Sequence, residues 1–315
     1  MNVMNKIYIG FDTSNYTTSV GVVSSESYIN QREILKVPEG TKGLRQSDAL
    51  FLHIKNMPDI YKRVCDQTNI ENIKAVGVST RPRSVEGSYM PVFLAGIMQA
   101  RAVSDTLRVP LYEFSHQDGH IMAGIYSSGL ELNYEPFLSV HMSGGTTEVL
   151  KTKYNGYNFE CEIIGGTKDI SAGKVVDRVG VFSGLSFPCG SELDRISRDS
   201  REQIKLPICT DGGFFNFSGL ETKACSMLKE KKLEDVAWGI FSAISRTLYE
   251  ALDFCVKSTG IRKILIAGGV ASNSKIREDL VEIPHTEVFF ASPELSCDNA
   301  VGIALCAQNA EKRRS

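Results

Sequence analysis

Residues 6–23, KIYIGFDTSNYTTSVGVV, and residues 137–151, FLSVHMSGGTTEVLK, carry the same design and decide the fold. In the first, an alternating β-rich segment from Lys6 to Phe11 breaks into Asp12-Thr13-Ser14-Asn15 and resumes as Thr18 to Val23, which predicts two strands joined by a polar turn. In the second, Phe137 to Met142 is an apolar strand, Ser143-Gly144-Gly145-Thr146-Thr147 a small polar turn, and Glu148 to Lys151 the restart. Glycines let a backbone approach a ligand closely, and a turn dense in N–H and O–H donors can hold phosphate oxygens. One such unit is a hairpin. Two, in separate halves of one chain, imply a nucleotide held between two related lobes.

Size agrees with that reading. At 315 residues the chain exceeds the length at which a single hydrophobic core stops growing, so two lobes are expected. Its 42% apolar and 23% charged residues are ordinary for a globular protein and exclude disorder and collagen-like repeats. The net charge of -2 gives no overall basic field, so any RNA partner needs a local basic patch. The eight cysteines occur singly with no CxxC pair, which excludes zinc ribbons and thioredoxin-like motifs and reads as buried free thiols. The start lacks a secretory apolar core, and no run of about 18 uncharged apolar residues occurs, so a cytoplasmic protein without a membrane anchor is expected.

A third glycine turn, Gly268-Gly269-Val270-Ala271-Ser272-Asn273, follows the strand Lys263 to Ala267 and leads toward a helix containing Ile276 and Arg277. That order is a generic anion or nucleoside site, weak by itself. Glu234 to Lys257 spaces its apolar residues as a core helix, and a last helix is expected from about Asp298 to Lys312. Two of the five histidines, His116 and His120 in HQDGH, stand four apart and share one face if helical, as two imidazoles on one metal ion must. A pair of capping or surface histidines remains the plainer alternative. Asp298 is the candidate third ligand. His141 reads as a core or supporting residue, and His53 and His285 carry no signal. Gln117 occupies the place of the zincin general base, and an amide cannot take a proton from water.

Seven motifs, in order, resemble the Gcp/TsaD family of tRNA threonylcarbamoyladenosine synthases, formerly labelled O-sialoglycoprotein endopeptidases. GFDTSNYTTSVGVV (10–23) is similar to the family's ETSCDET opening, HQDGH (116–120) to HMEGH, and HMSGGTTEVL (141–150) to VSGGHTQL. GGTKDISAGKVVDRVGVFSGLSFPCGSELD (165–194) resembles GETLDDAAGEAFDK with the GLxYPGGP stretch. FFNFSGLETKA (214–224) resembles FSFSGLKT, LIAGGVASNSKIR (265–277) resembles MAGGVSANRxLR, and PELSCDNAVGIA (293–304) resembles PExCTDNAAMIA. The resemblance spans nearly the whole chain.

It implies an α/β, two-lobed fold of the actin, hexokinase and acetate-kinase (ASKHA) type with a nucleotide cleft between the lobes. The expected division is 1–113 plus 295–315 for an N-terminal lobe with a returning C-terminal helix, and 114–294 for a C-terminal lobe. The implied chemistry moves threonylcarbamoyl from threonylcarbamoyl-AMP to adenosine 37 of tRNA. The resemblance implies one divalent metal, iron or zinc, held by His116, His120 and Asp298. It assigns an adenylate-type substrate to Met142, Ser143, Gly144, Gly145, Thr146, Asp177, Gly190 and Asn273. Asp12, Ser143 and Thr146 are candidates for a direct part in catalysis. The implied partners are tRNA, a smaller homologous subunit and a P-loop ATPase.

Departures from the family pattern cluster in the motifs. Tyr16 and Thr17 replace a carboxylate pair, Thr146 a histidine, Ile170 an aspartate, Lys174 a glutamate and Glu221 a lysine. Lys174 and Glu221 would compensate as a swapped pair if adjacent. STRPRSVEGSYMP (79–91) replaces a glycine-proline-glycine loop and adds Arg81 and Arg83, which either grip RNA phosphate or solvate a loop. Two function classes stay open: an active transferase, and a diverged paralogue that binds nucleotide and metal with an altered substrate or as a non-catalytic subunit. A metalloprotease is the remote third.

Overall fold

A computed structural model describes residues 6–14, 16–36 and 44–314 of the chain. The chain packs into two compact units: unit one is Met1–Tyr126, Tyr154–Glu160 and Asp298–Ser315, and unit two is Ser127–Lys153 and Cys161–Cys297. In unit one, strands β1 (Ile7–Ser14), β2 (Thr17–Val23) and β3 (Tyr28–Ile34) form an antiparallel meander. Helix α1 (Gln46–Gln67) leads to β4 (Ile73–Arg81), α2 (Phe93–Leu107), β5 (Leu111–Ser115) and α3 (His116–Ser128). The sheet order is β3-β2-β1-β4-β5, with β4 parallel to both β1 and β5. The polar residues expected to turn after Phe11 do not. Asp12, Thr13 and Ser14 pair with Ser19, Thr18 and Thr17 and are buried, so the strand carries its polar side chains inside. Asn15 of the expected turn lies outside the described residues.

Unit two repeats the plan. Strands β6 (Phe137–Met142), β7 (Thr147–Tyr154) and β8 (Phe159–Thr167) are followed by α4 (Ala172–Phe182), α5 (Gly190–Ser197), β9 (Thr210–Asp211), β10 (Phe214–Phe215), α6 (Ser218–Met227) and α7 (Leu233–Thr259). Then come β11 (Lys263–Ala267), α8 (Ser274–Leu280) and β12 (Glu287–Phe290). The sheet order is β12-β11-β6-β7-β8-β10-β9, and its first five strands have the arrangement of the unit-one sheet. This is the duplication read from the two hairpins. Helix α7 buries Val236, Ile240, Ile244, Leu248 and Leu252 on one stripe and stops at Gly260, whose φ of 73 closes the left-handed cap.

The chain returns to unit one as α9 (Val301–Arg314). Gly21, Gly10 and Gly77 stand in register across β2, β1 and β4, and a Cβ on any of them would strike the backbone of α9. The bare row lets the helix lie directly on the sheet. Gly302 of α9 likewise meets the Gly119 backbone of α3 too closely for any side chain. The expected bounds were 113/114 and 294/295; in the compact units, residues through Tyr126 group with unit one and the return begins at Asp298.

All eight cysteines are free, as expected, yet only Cys189, Cys255 and Cys306 are buried; Cys209 and Cys297 lie in exposed connections. No helix among the described residues is long and apolar enough to cross a membrane.

Candidate functional site

Helix α3 starts at His116, directly after β5, and Asp118 fixes that start. Its Oδ2 accepts from the Ser115 backbone N–H at 2.8 Å, the Ser115 hydroxyl at 2.6 Å and the Ser84 hydroxyl at 3.0 Å, and its Oδ1 accepts from the Phe159 N–H at 2.9 Å. A buried carboxylate with four donors anchors the helix rather than reacting. Gly119 does not interrupt the helix, because the site of its absent side chain is filled by Ile303 of α9.

With the turn so held, His116 and His120 project from one face, and their Nε2 atoms lie 2.9 Å apart. Asp298, just before α9, brings Oδ1 to 3.3 Å from His120 Nε2 and 3.6 Å from His116 Nε2. One ligand atom from each residue falls within 4.8 Å of the others, and the side chains are 20%, 11% and 34% exposed. Behind them, His116 Nδ1 is 3.1 Å from Oδ1 of Asp12, which also accepts from the Ser79 hydroxyl. Thr17 donates its hydroxyl to Asp298 Oδ2 at 3.1 Å, and Arg32 donates to the Asp298 carbonyl at 3.3 Å.

The electrostatics fit a cation. Burial by itself would lower the His116 pKa, but the charges and hydrogen bonds of Asp12 and Asp298 override it and push it up to about 10. Burial would raise the Asp298 carboxyl, and the two histidines instead hold it well below the carboxylate range. Two ring nitrogens and a carboxylate oxygen crowd one point, an arrangement that needs a proton or a metal ion between them. Asp12 accepting the Nδ1 proton leaves Nε2 free to ligate, the usual support for a metal-bound imidazole. An Asp/His2 donor set suits a divalent transition-metal ion.

The residues assigned to an adenylate lie in unit two. The Ser143–Thr146 turn is closed on itself: Ser143 N–H donates to the Thr146 carbonyl at 2.8 Å, and the Ser143 hydroxyl accepts from Thr146 N–H at 3.1 Å. Gly144 and Gly145 face open space. Met142 is fully buried, paired with Thr147 and packed against Gly268. Helix α4 abuts the turn: its cap Ser171 donates to the Gly144 carbonyl at 2.7 Å, and Gly173 lies against Gly144. Asp177 accepts from Cys189 N–H at 2.9 Å, and its carboxyl is raised by burial. Gly190 opens α5 with free space beside it. Asn273 is buried, capping α8 through Oδ1 at 3.0 Å and donating Nδ2 to Asp194 at 2.5 Å. Both polar ends of that side chain are thus committed to protein.

The swapped pair is not formed. Glu221 Oε2 binds Arg178 Nη1 at 3.0 Å, one helical turn beyond Lys174, which is exposed. Sequence reasoning misses Thr17, Arg32, Ser79 and Asp194 as contacts of the assigned residues. Thr17 and Ser79, which fall in stretches that depart from the family pattern, carry a signal.

The two repeated α/β units define the actin and hexokinase type of fold. The activator of 2-hydroxyisocaproyl-CoA dehydratase from Clostridium difficile, solved with bound ADPNP, aligns over 98% of this chain and 97% of its own, with a TM-score of 0.53 and 21% identity. A ROK family glucokinase from Streptomyces griseus, in complex with glucose and AMPPNP, aligns over 96% and 99%, with a TM-score of 0.52 and 13% identity. Within that fold, the family model for tRNA N6-adenosine threonylcarbamoyltransferase (TsaD) matches residues 23–305, and the chain belongs to this family. A tRNA N6-adenosine threonylcarbamoyltransferase of Thermus thermophilus is 31% identical over 314 residues, covering 97% of this chain and 93% of that one.

Proposed function

We propose that the chain is a threonylcarbamoyl transferase that modifies adenosine 37 of tRNA, with threonylcarbamoyl-AMP as donor. The observation that carries the reading is the convergence of His116, His120 and Asp298, with both Nε2 atoms 2.9 Å apart, in a chain of this family. A divalent cation held there, iron or zinc, would supply Lewis acidity toward substrate oxygens. The protein's own part is positional. Asp12 fixes the His116 tautomer, Asp118 sets the start of α3, and Thr17 orients Asp298. The Ser143–Thr146 turn, with open space at both glycines, suits the donor's phosphate and carbamoyl region, and Asp177 and Gly190 suit its nucleoside. Asn273 would serve by holding α8 and Asp194. In the transfer, the N6 amine bonds to the carbamoyl carbon, the carbon–oxygen bond to phosphate breaks, and AMP leaves with its electron pair. The amine proton passes to solvent.

In this reading the chain works with a smaller homologous subunit and a P-loop ATPase, and the donor is supplied separately. The test supplies those partners, unmodified tRNA and a donor-generating system, and reads the modified nucleoside by mass spectrometry. Absence of product with partners present would move the assignment to the second reading, a paralogue that binds metal and nucleotide without this turnover. That reading is favoured by Thr17, a hydroxyl standing beside Asp298 where relatives of this motif carry a carboxylate.

A further inference from the structure

Ser79–Pro91, the end of β4 and most of the segment leading to α2, is fastened to the helix that carries His116 and His120. Gln117, the neighbour of His116, donates its backbone N–H to the Pro82 carbonyl at 3.1 Å, and Ser84 donates to Asp118 at 3.0 Å. The segment also folds on itself, with Arg83 N–H donating to the Ser88 hydroxyl at 3.1 Å and Ser88 N–H to the Val85 carbonyl at 3.2 Å. Arg81 and Arg83 therefore flank a proline that is bonded to the residue after a metal ligand. Arg81 touches the Thr80 hydroxyl at 3.1 Å and makes no ion pair among the described residues. The one carboxylate of the segment, Glu86, lies at the exposed turn beside Gly87. Tyr89, 63% exposed, offers a ring to solvent on the same loop.

Two guanidinium groups and an open aromatic ring on one pinned loop are what single-stranded RNA uses: cations for phosphates and a ring for an unstacked base. The chain's net charge of -2 gives no attraction at a distance, so such a contact has to be local. We propose that this loop binds a single-stranded RNA segment beside the metal centre, with Arg81 and Arg83 on backbone phosphates and Tyr89 stacked on a base. The inference rests on the tRNA-modifying reading and adds the surface that holds the acceptor.

Binding of the metal-loaded, full-length protein to a labelled anticodon stem-loop RNA, with a fully paired RNA as control, tests it across a salt series. Arg81→Ala/Arg83→Ala should weaken stem-loop binding about tenfold or more and flatten the salt slope by about 0.7 per arginine removed. Arg81→Lys/Arg83→Lys should keep the slope. Tyr89→Ala should lose about tenfold with the slope unchanged, and Tyr89→Phe should recover it. Metal content and melting temperature, equal to wild type, certify folding; if the double alanine variant fails there, the lysine and Tyr89 variants decide. Wild-type affinity and slope in the variants, preference for the paired control, or no RNA binding by wild type would each overturn the proposal. Loop-dependent RNA binding without nucleoside formation would instead sink the transferase reading and leave this one standing.

Discussion

The Nδ1 atom of His116 lies 3.0 Å from the nearer carboxylate oxygen of Asp12, a side chain with no solvent exposure. Strand β1 thus reaches from the sheet to the back of a metal-type imidazole on α3, and a buried charge orients a ring that is itself partly open. Asp12→Asn keeps the shape and removes the charge that favours the Nδ1–H tautomer. Metal affinity is expected to fall about 10- to 100-fold, read by chelator competition, while the fold stays intact. Unchanged affinity would remove Asp12 from the site.

His120→Ala deletes one of the two convergent Nε2 atoms. Elemental analysis of the purified variant should show metal stoichiometry well below wild type, and His116→Ala should behave alike. Equal stoichiometry in both variants and wild type would dissolve the site as drawn.

Gly302→Ala places a Cβ into the Gly119 backbone, which no rotamer change relieves. Stability should fall by at least about 2 kcal/mol in chemical denaturation, and metal retention should fall with it, because α3 must shift. A variant as stable as wild type would refute the close α3–α9 approach.

His53, buried in α1, pairs Nδ1 with the Thr18 hydroxyl at 2.8 Å. Burial lowers its pKa from 6.5 to about 4 against the opposing pull of the Asp12 charge and a backbone hydrogen bond at Ser14. The unfolded chain therefore binds the extra proton between these values. Stability from this group is complete above pH 6.5 and is lost as pH falls toward 4, by at most about 1.4 kcal/mol per pH unit. His116 titrates with the opposite sign, so the informative quantity is the difference between wild type and His53→Gln. That difference should change with pH only inside the window; a flat difference from pH 4 to 7 contradicts the assignment.

Much of this architecture is local and therefore legible. The strand pairs at Lys6 to Val23 and Phe137 to Lys151 show as two β-rich runs on either side of a polar stretch, and each forms an antiparallel pair. The shared face of His116 and His120 needs only a four-residue spacing. Less was legible where polar residues extend a strand: Asp12 to Ser14 read as turn because polar residues usually seek water, yet here they pair in the sheet and face buried partners.

By itself the sequence determined the repeated α/β plan, the paired histidines and the family motifs, all of which reside in short-range order. Asp298 was nameable as a third ligand from its motif, but tertiary structure alone decided that Asp12 stands behind the histidines, that Thr17 and Arg32 hold Asp298, and that Glu221 chooses Arg178 over Lys174. The reason is physical. Periodicity constrains which face a side chain occupies, while its partner is set by how helices seat on sheets, here by the glycine row under α9 and the bare contact of Gly119 with Gly302.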